Sequence, residues 1–208
     1  MSVDRRGLGR RMSGRLPALL TALLLAGCAT LTPAEEQSVA EIKAFSDRTA
    51  ELYGLPPLIV LVSYNPRDPA GIYRRGFFAV SSHYLTSDFR DAIVAHELGH
   101  YVLGHDAPLR GPGPEDKERE QQQRELDANA KAVEILARVN GVSEERALKT
   151  VYLYLLGAHW AVERYPRLDV AGHKPFCEEI ADLLSRFPQQ RSWTAALECA
   201  PARWRTGG

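Results

Sequence analysis

"DFRDAIVAHELGHYVLGHD", residues 88–106, decides the reading of this chain. His96 and His100 stand four apart, so on a helix they share one face and their imidazoles can converge on one ion. Glu97 is rotated about 100° from His96, which puts it beside such an ion rather than on it. A base must stand there to take a proton from attacking water. The pattern H-E-x-x-H encodes this arrangement, with zinc as the usual metal. Ile93, Val94, Ala95 and Leu98 surround the motif, so the helix is expected to be largely buried. Buried histidines and a buried glutamate need partners, which argues against a helix that merely carries two surface histidines. Gly99 in mid-helix costs about 1 kcal/mol relative to alanine, so a close neighbour is expected there. Thr86 or Ser87 is placed to cap the helix and Gly104 to end it.

A catalytic zinc site takes three protein ligands and leaves one position open. Asp106 holds the last position of the extended pattern H-E-x-x-H-x-x-G-x-x-H/D, but Leu103 occupies the place of its turn glycine. His105 falls one residue short of the ligand position. The better third ligand lies in "RELDANAKAVEILARV" (124–139). At 100° per residue, Asp127, Lys131, Glu134 and Arg138 form one solvent-facing stripe, with Asp127 and Lys131 as an expected ion pair. Glu125, Asn129 and Leu136 fall on the opposite, buried face. A buried glutamate followed one turn later by a buried asparagine is unusual. Glu125 as a ligand has its charge compensated, and Asn129 can orient a ligand from behind. The alternative for Glu125 is a structural carboxylate paired with an arginine. Glu118 shares the phase of Glu125 but sits in "EDKEREQQQR", without apolar neighbours, and reads as solvated.

Outward from these two helices the chain reads as α+β, a small early sheet followed by helices. Val39, Ile42, Phe45, Ala50 and Leu52 give 35–54 a near-helical spacing. "LIVLVSY" (58–64) is a short β-branched run and reads as a strand. "NPRDPAG" is a turn, and "IYRRGFFAVSSHYL" (72–85) one or two strands, bent near Gly76. After the loop 106–117 come the long helix to about Val139, a turn with Ser143 as N-cap, a helix over 144–163, and shorter ones near 175–187 and 193–199.

The first 28 residues stand apart. Five arginines precede "LPALLTALLLAG", an apolar stretch too short to span a bilayer comfortably, and "LAGC" closes the segment at Cys28. This resembles the lipobox of bacterial lipoproteins, in which the cysteine is lipidated and becomes the new N-terminus. The alternatives are an ordinary signal peptide or a membrane anchor. The expected organisation is a signal peptide over 1–27, a lipid-anchored tether over 28–34, and one domain over 35–208. Removing 1–27 takes away five arginines and Asp4 and leaves 21 basic and 25 acidic side chains, a formal charge of −4. Nothing points to nucleic acid as a partner. Ala29, where an aspartate would favour inner-membrane retention, leans the expected location toward the periplasmic face of the outer membrane. Cys177 and Cys199 remain, and an even cysteine count in an oxidising compartment suggests a disulfide between them.

"HELGH" followed by "ELDAN" resembles gluzincin metallopeptidases, whose third ligand is a glutamate in E-x-x-A-D or E-x-x-A-N. The nearest relatives by motif are the CAAX prenyl protease and bacterial heat-shock membrane protease family. His105 matches that family's frequent H-E-x-x-H-x-x-x-x-H. The form ending in Asn129 is also similar to the compact metallopeptidases that cleave phage repressors. "GHKPFCEEIADL" (172–183) resembles the downstream H-P-x-x-x-x-R-I element through His173 and Ile180. There the proline is displaced by one residue and Glu179 occupies the arginine position.

The resemblance implies a compact zincin domain: a small antiparallel sheet, an active-site helix, a third-ligand helix and further helices. It implies one zinc ion per chain on His96, His100 and Glu125, with Asn129 behind them. It also implies a metalloendopeptidase acting on proteins or peptides in the cell envelope, with Glu97 as general base. His173 is the first candidate for stabilising the oxyanion, with His159 and Tyr101 behind it. Substrate is expected to add as a strand along Gly76 to Ser81. Two other classes stay open: a zinc-bound binding or chaperone-like lipoprotein that cleaves nothing, and a metal-free structural envelope protein.

Overall fold

The computed structural model describes residues 31–65, 68–165 and 172–189. The chain divides into two compact units, Met1–Thr32 and Pro33–Gly208, and all the helices and strands among the described residues belong to the second. The expectations for the leader and Cys28, and for Cys199 and the helix near 193–199, lie outside the described residues.

The described part is α+β, with five α-helices and a three-stranded sheet. In chain order these are α1 (Pro33–Tyr53), β1 (Ile59–Ser63), β2 (Gly71–Arg74), β3 (Phe77–Ser81), a 3-10 turn (Ser82–Tyr84), α2 (Arg90–Val102), α3 (Pro114–Asn140), α4 (Glu144–Arg164) and α5 (Phe176–Arg186). No helix among the described residues is long and apolar enough to cross a membrane.

The sheet is mixed rather than antiparallel. Its order is β1-β3-β2, with β1 parallel to β3 and β2 antiparallel to it. β2 therefore lies on the far side of β3 from β1. The Arg75-Gly76 turn, with Gly76 at φ 86°, then folds β3 back between the other two. β3 is therefore paired on both sides along Phe77–Val80, the Ser81 amide donates to Ala70, and no free edge is left there for a substrate strand. The outer edges belong to β1 and β2, and it is β2 that lines the cavity described below.

α2 packs chiefly against α3, and Gly99 is why they come so close. A Cβ at Gly99 would stand 2.7 Å from the Ala128 carbonyl oxygen. Phe78, Ile93, Leu98, Val133, Ile135, Leu148 and Leu155 fill the core around this crossing. α2 starts at Arg90, later than its expected caps. Ser87 instead accepts a hydrogen bond from the Phe89 amide in the preceding turn. Its end is as expected. Gly104 takes φ 67°, its amide donates to Tyr101, and the His105 amide donates to His100. This is a Schellman cap. Ser143 caps α4 by accepting from the Arg146 amide, a contact worth about 1 kcal/mol. On the outer stripe of α3, the expected Asp127–Lys131 pair does not form. Asp127 takes Arg186 from α5 at 2.8 Å, while Lys131 turns to Glu134. A partner on a neighbouring helix has displaced the one on the same helix.

Candidate metal centre

The α2–α3 crossing brings three donor atoms together. His96 Nε2 and His100 Nε2 each lie 3.1 Å from Glu125 Oε2, and 3.1 Å from each other. All three residues are buried and can hold a metal ion. His96 and His100 converge because they share a face of α2. Glu125 joins them because Ala128, one turn on, rests on Gly99.

The hydrogen bonds behind the ring nitrogens test whether this is a metal site. His96 Nδ1 is 2.8 Å from Asn129 Oδ1, which can only accept. The proton of neutral His96 therefore sits on Nδ1, and its Nε2 presents a lone pair to the carboxylate. His100 Nδ1 is 2.9 Å from His105 Nδ1. Burial, then the charges of His100 and Arg124, push His105 down to about 4, so His105 is neutral and able to accept. With His100 Nδ1 as the donor in that contact, His100 Nε2 is also a lone pair. Three lone pairs facing one another at 3.1 Å call for a cation, and this donor set suits a divalent metal. Without one, protons must serve. Burial opposes a charge on His96, but the Glu125 carboxylate outweighs it and pushes the imidazole up to about 9. Glu125 is itself pulled below the usual carboxylate range by both histidines, against the effect of its burial. Its second oxygen, Oε1, accepts from Gln121 Nε2 at 2.5 Å.

Glu97 lies beside the three donors, against the sheet. It lies against Gly71 and the Tyr73 backbone of β2. Gly71 makes the room, since a Cβ there would stand 2.8 Å from both Cγ and Oε1 of Glu97. Burial raises the Glu97 carboxyl above its ordinary value, with the two histidines pulling the other way. The donors and Glu97 open on a cavity of about 560 Å³, walled on one side by Pro69–Arg75.

His173 also lines this cavity; its Nε2 is 3.8 Å from Glu125 Oε2. His159 and Tyr101 do not. The Tyr101 hydroxyl donates to the Pro56 carbonyl, and His159 sits 3.7 Å from the sulfur of Cys177. Cys177 is disulfide-bonded. Asp106 is not drawn into the donor group and faces Arg75 at 3.8 Å. Glu118 is exposed, as expected of a solvated charge. Of the loop after α2, His105 and Asp106 reach the cavity wall.

Three residues of the site had no role in the sequence reading. His105 backs His100, and the signal for it was local: a Schellman turn at Gly104 returns the next residue over the one five before it. Tyr154 of α4 lines the cavity, its hydroxyl pushed up by burial and then by Glu97. Nothing in "YLYLLG" separates it from a core tyrosine. Glu179 is completely buried beside Asn129 and His173. Comparison with known proteins adds no relative: no family model matches the chain, and no curated protein or solved structure matches it.

Proposed function

We propose that this chain is a zinc-dependent metalloendopeptidase of gluzincin type. The observation that carries the reading is the three-donor group with a buried carboxylate, Glu97, beside it in an open cavity. Zinc bonds of about 2.0–2.2 Å at tetrahedral angles separate neighbouring donors by about 3.3–3.6 Å, so a few tenths of an ångström of spreading from the 3.1 Å between these atoms would admit the ion. A bound zinc would supply Lewis acidity, acidifying a water and polarising a carbonyl.

The chain's own residues supply the rest. Glu97 stands next to that centre, packed against Gly71 of β2. It takes the proton from the attacking water and passes it to the leaving amine, the work of a carboxylate raised by burial. His173 faces the same space through Nε2 and is the group proposed to meet the developing oxyanion; Tyr154, a neutral hydroxyl donor on the wall, is the second candidate. The free edge of β2 is the proposed seat for an extended peptide, with the backbone of Gly71 and Tyr73 turned toward the site.

Export as a lipoprotein anchored at Cys28 completes the proposal and rests on the leader sequence alone. Metabolic labelling with a radioactive fatty acid tests it, since Cys28→Ala should abolish incorporation. The enzymatic reading is tested by assaying the purified chain on unstructured protein substrates beside Glu97→Gln, with zinc content measured in both. Cleavage lost in Glu97→Gln with zinc retained supports a peptidase. Zinc present and both chains equally inactive supports a non-proteolytic zinc-binding module.

A further inference from the structure

Among the described residues Glu179 lacks the lysine or arginine partner that usually accompanies a buried carboxylate. It is 0% exposed. Its oxygens are nevertheless fully used. Oε2 accepts from Asn129 Nδ2 at 3.0 Å. Oε1 accepts from the Lys174 amide at 3.1 Å and lies 3.0 Å from His173 Nδ1. The position of Glu179 in the first turn of α5 adds the favourable end of that helix's dipole.

These bonds join to those of the metal centre. Asn129 has one amide with two different ends. Its Nδ2 is committed to Glu179, so its Oδ1 is committed to His96 Nδ1, 2.8 Å away. We propose that Glu179 is a positioning residue for the site, orienting His96 through Asn129 and His173 directly. Without the carboxylate, nothing decides which way the Asn129 amide points. An Asn129 turned over presents N–H to His96 Nδ1, which moves the imidazole proton to Nε2 and removes a ligand lone pair. On the other side Glu179 holds His173 by Nδ1 and so leaves Nε2 as its cavity-facing atom. One carboxylate thus sets two rings whose centroids are 6.4 Å apart.

The proposal rests on His96 being a metal ligand, and its test separates that premise from the bridge. In Glu179→Gln the side-chain oxygen stays with its two donors, Lys174 N–H and His173 N–H. Its amide then faces Asn129 Nδ2, donor against donor, and Asn129 must turn over. Zinc affinity, read by competition with a chromophoric chelator, should fall roughly 10- to 100-fold, the usual effect of removing support behind a ligand. In the double variant Glu179→Gln/Asn129→Asp every donor again meets an acceptor, with the charge moved one residue inward. Affinity should return to within about threefold of the parent chain, a coupling that a double-mutant cycle isolates. Unchanged affinity in Glu179→Gln overturns the proposal, and so does a gain in the double variant no larger than Asn129→Asp gives alone. If the parent chain binds no zinc, the metal reading fails by itself. The bridge is then read in metal-free chain by long-range 1H–15N correlation spectra of His173. The proton should sit on Nδ1 in the parent and distribute over both nitrogens in Glu179→Ala; identical spectra overturn the bridge.

Discussion

His105 Nδ1 stands 2.9 Å from His100 Nδ1, so one end of a ring that could ligate a metal rests on a residue just beyond the end of the same helix. Arg124 fixes that support from α3, its guanidinium donating to the carbonyls of His105 and Ala107 at 2.8 and 2.7 Å. Ligand and backing thus come from one short stretch of chain, locked by the residue next to the third ligand. His105→Ala should leave folding intact and weaken zinc binding roughly tenfold or more, the lower end of what removing such a partner costs. Chelator competition measures it. Affinity equal to the parent chain would mean that the contact is incidental.

Gly99 has no room for a methyl group. Gly99→Ala pushes a Cβ to 2.7 Å from the Ala128 carbonyl oxygen, backbone that cannot swing away as a side chain can. Alanine's better helix propensity offsets about 1 kcal/mol at most. Overpacking of this kind costs about 1–3 kcal/mol, so the net change should be destabilising. It should also separate Glu125 from the histidines. The expected result is a lower midpoint in urea together with weaker zinc binding; a more stable variant would show that the helices part without cost.

Gly71→Ala acts on Glu97 and on none of the three ligands. The added Cβ would meet Cγ and Oε1 of Glu97 at 2.8 Å and displace the carboxylate from β2. Zinc content should be unchanged while kcat falls by on the order of 10²-fold, the effect of a small misplacement of a reacting group. Loss of zinc instead would place the damage in the tripod.

Metal-free chain should lose stability as pH rises. His96 in the folded, metal-free protein is pushed up to about 9, from an ordinary value of 6.5. The folded state therefore holds that proton more tightly than the unfolded chain. Its contribution is fully present below about 6.5 and disappears as pH climbs through about 9. A bound divalent ion replaces the proton and removes the dependence. Thermal unfolding of chelator-treated and zinc-loaded chain across roughly pH 6–10 tests this. Two parallel curves would contradict it.

The candidate donors were legible because helical phase is a local property. His96, His100, Glu125 and Asn129 each announce themselves within one helix, and tertiary packing needed only to bring the two helices together. The order of the strands was not legible, because whether a chain turns back beside its neighbour or crosses beyond it is settled by what it packs on. The proposed substrate edge moved from β3 to β2 for that reason. Glu179 shows a signal that existed and was passed over. Phe176, Glu179, Ile180 and Leu183 are the buried residues of α5 and follow the spacing of an apolar stripe, so a glutamate on that stripe marks a buried charge. Its partners, fifty residues away on α3 and six away before α5, could not be read from it.

The contact between Gly99 and Ala128 also makes the metal a probe of folding. Two of the donors belong to α2 and the third to α3, so an unfolded chain has no preformed site and zinc would bind chiefly where the two helices are docked. At a free concentration about a hundred times Kd, such a ligand adds about 2.7 kcal/mol to the docked state. The free zinc level would then set how much of this chain is folded at any moment.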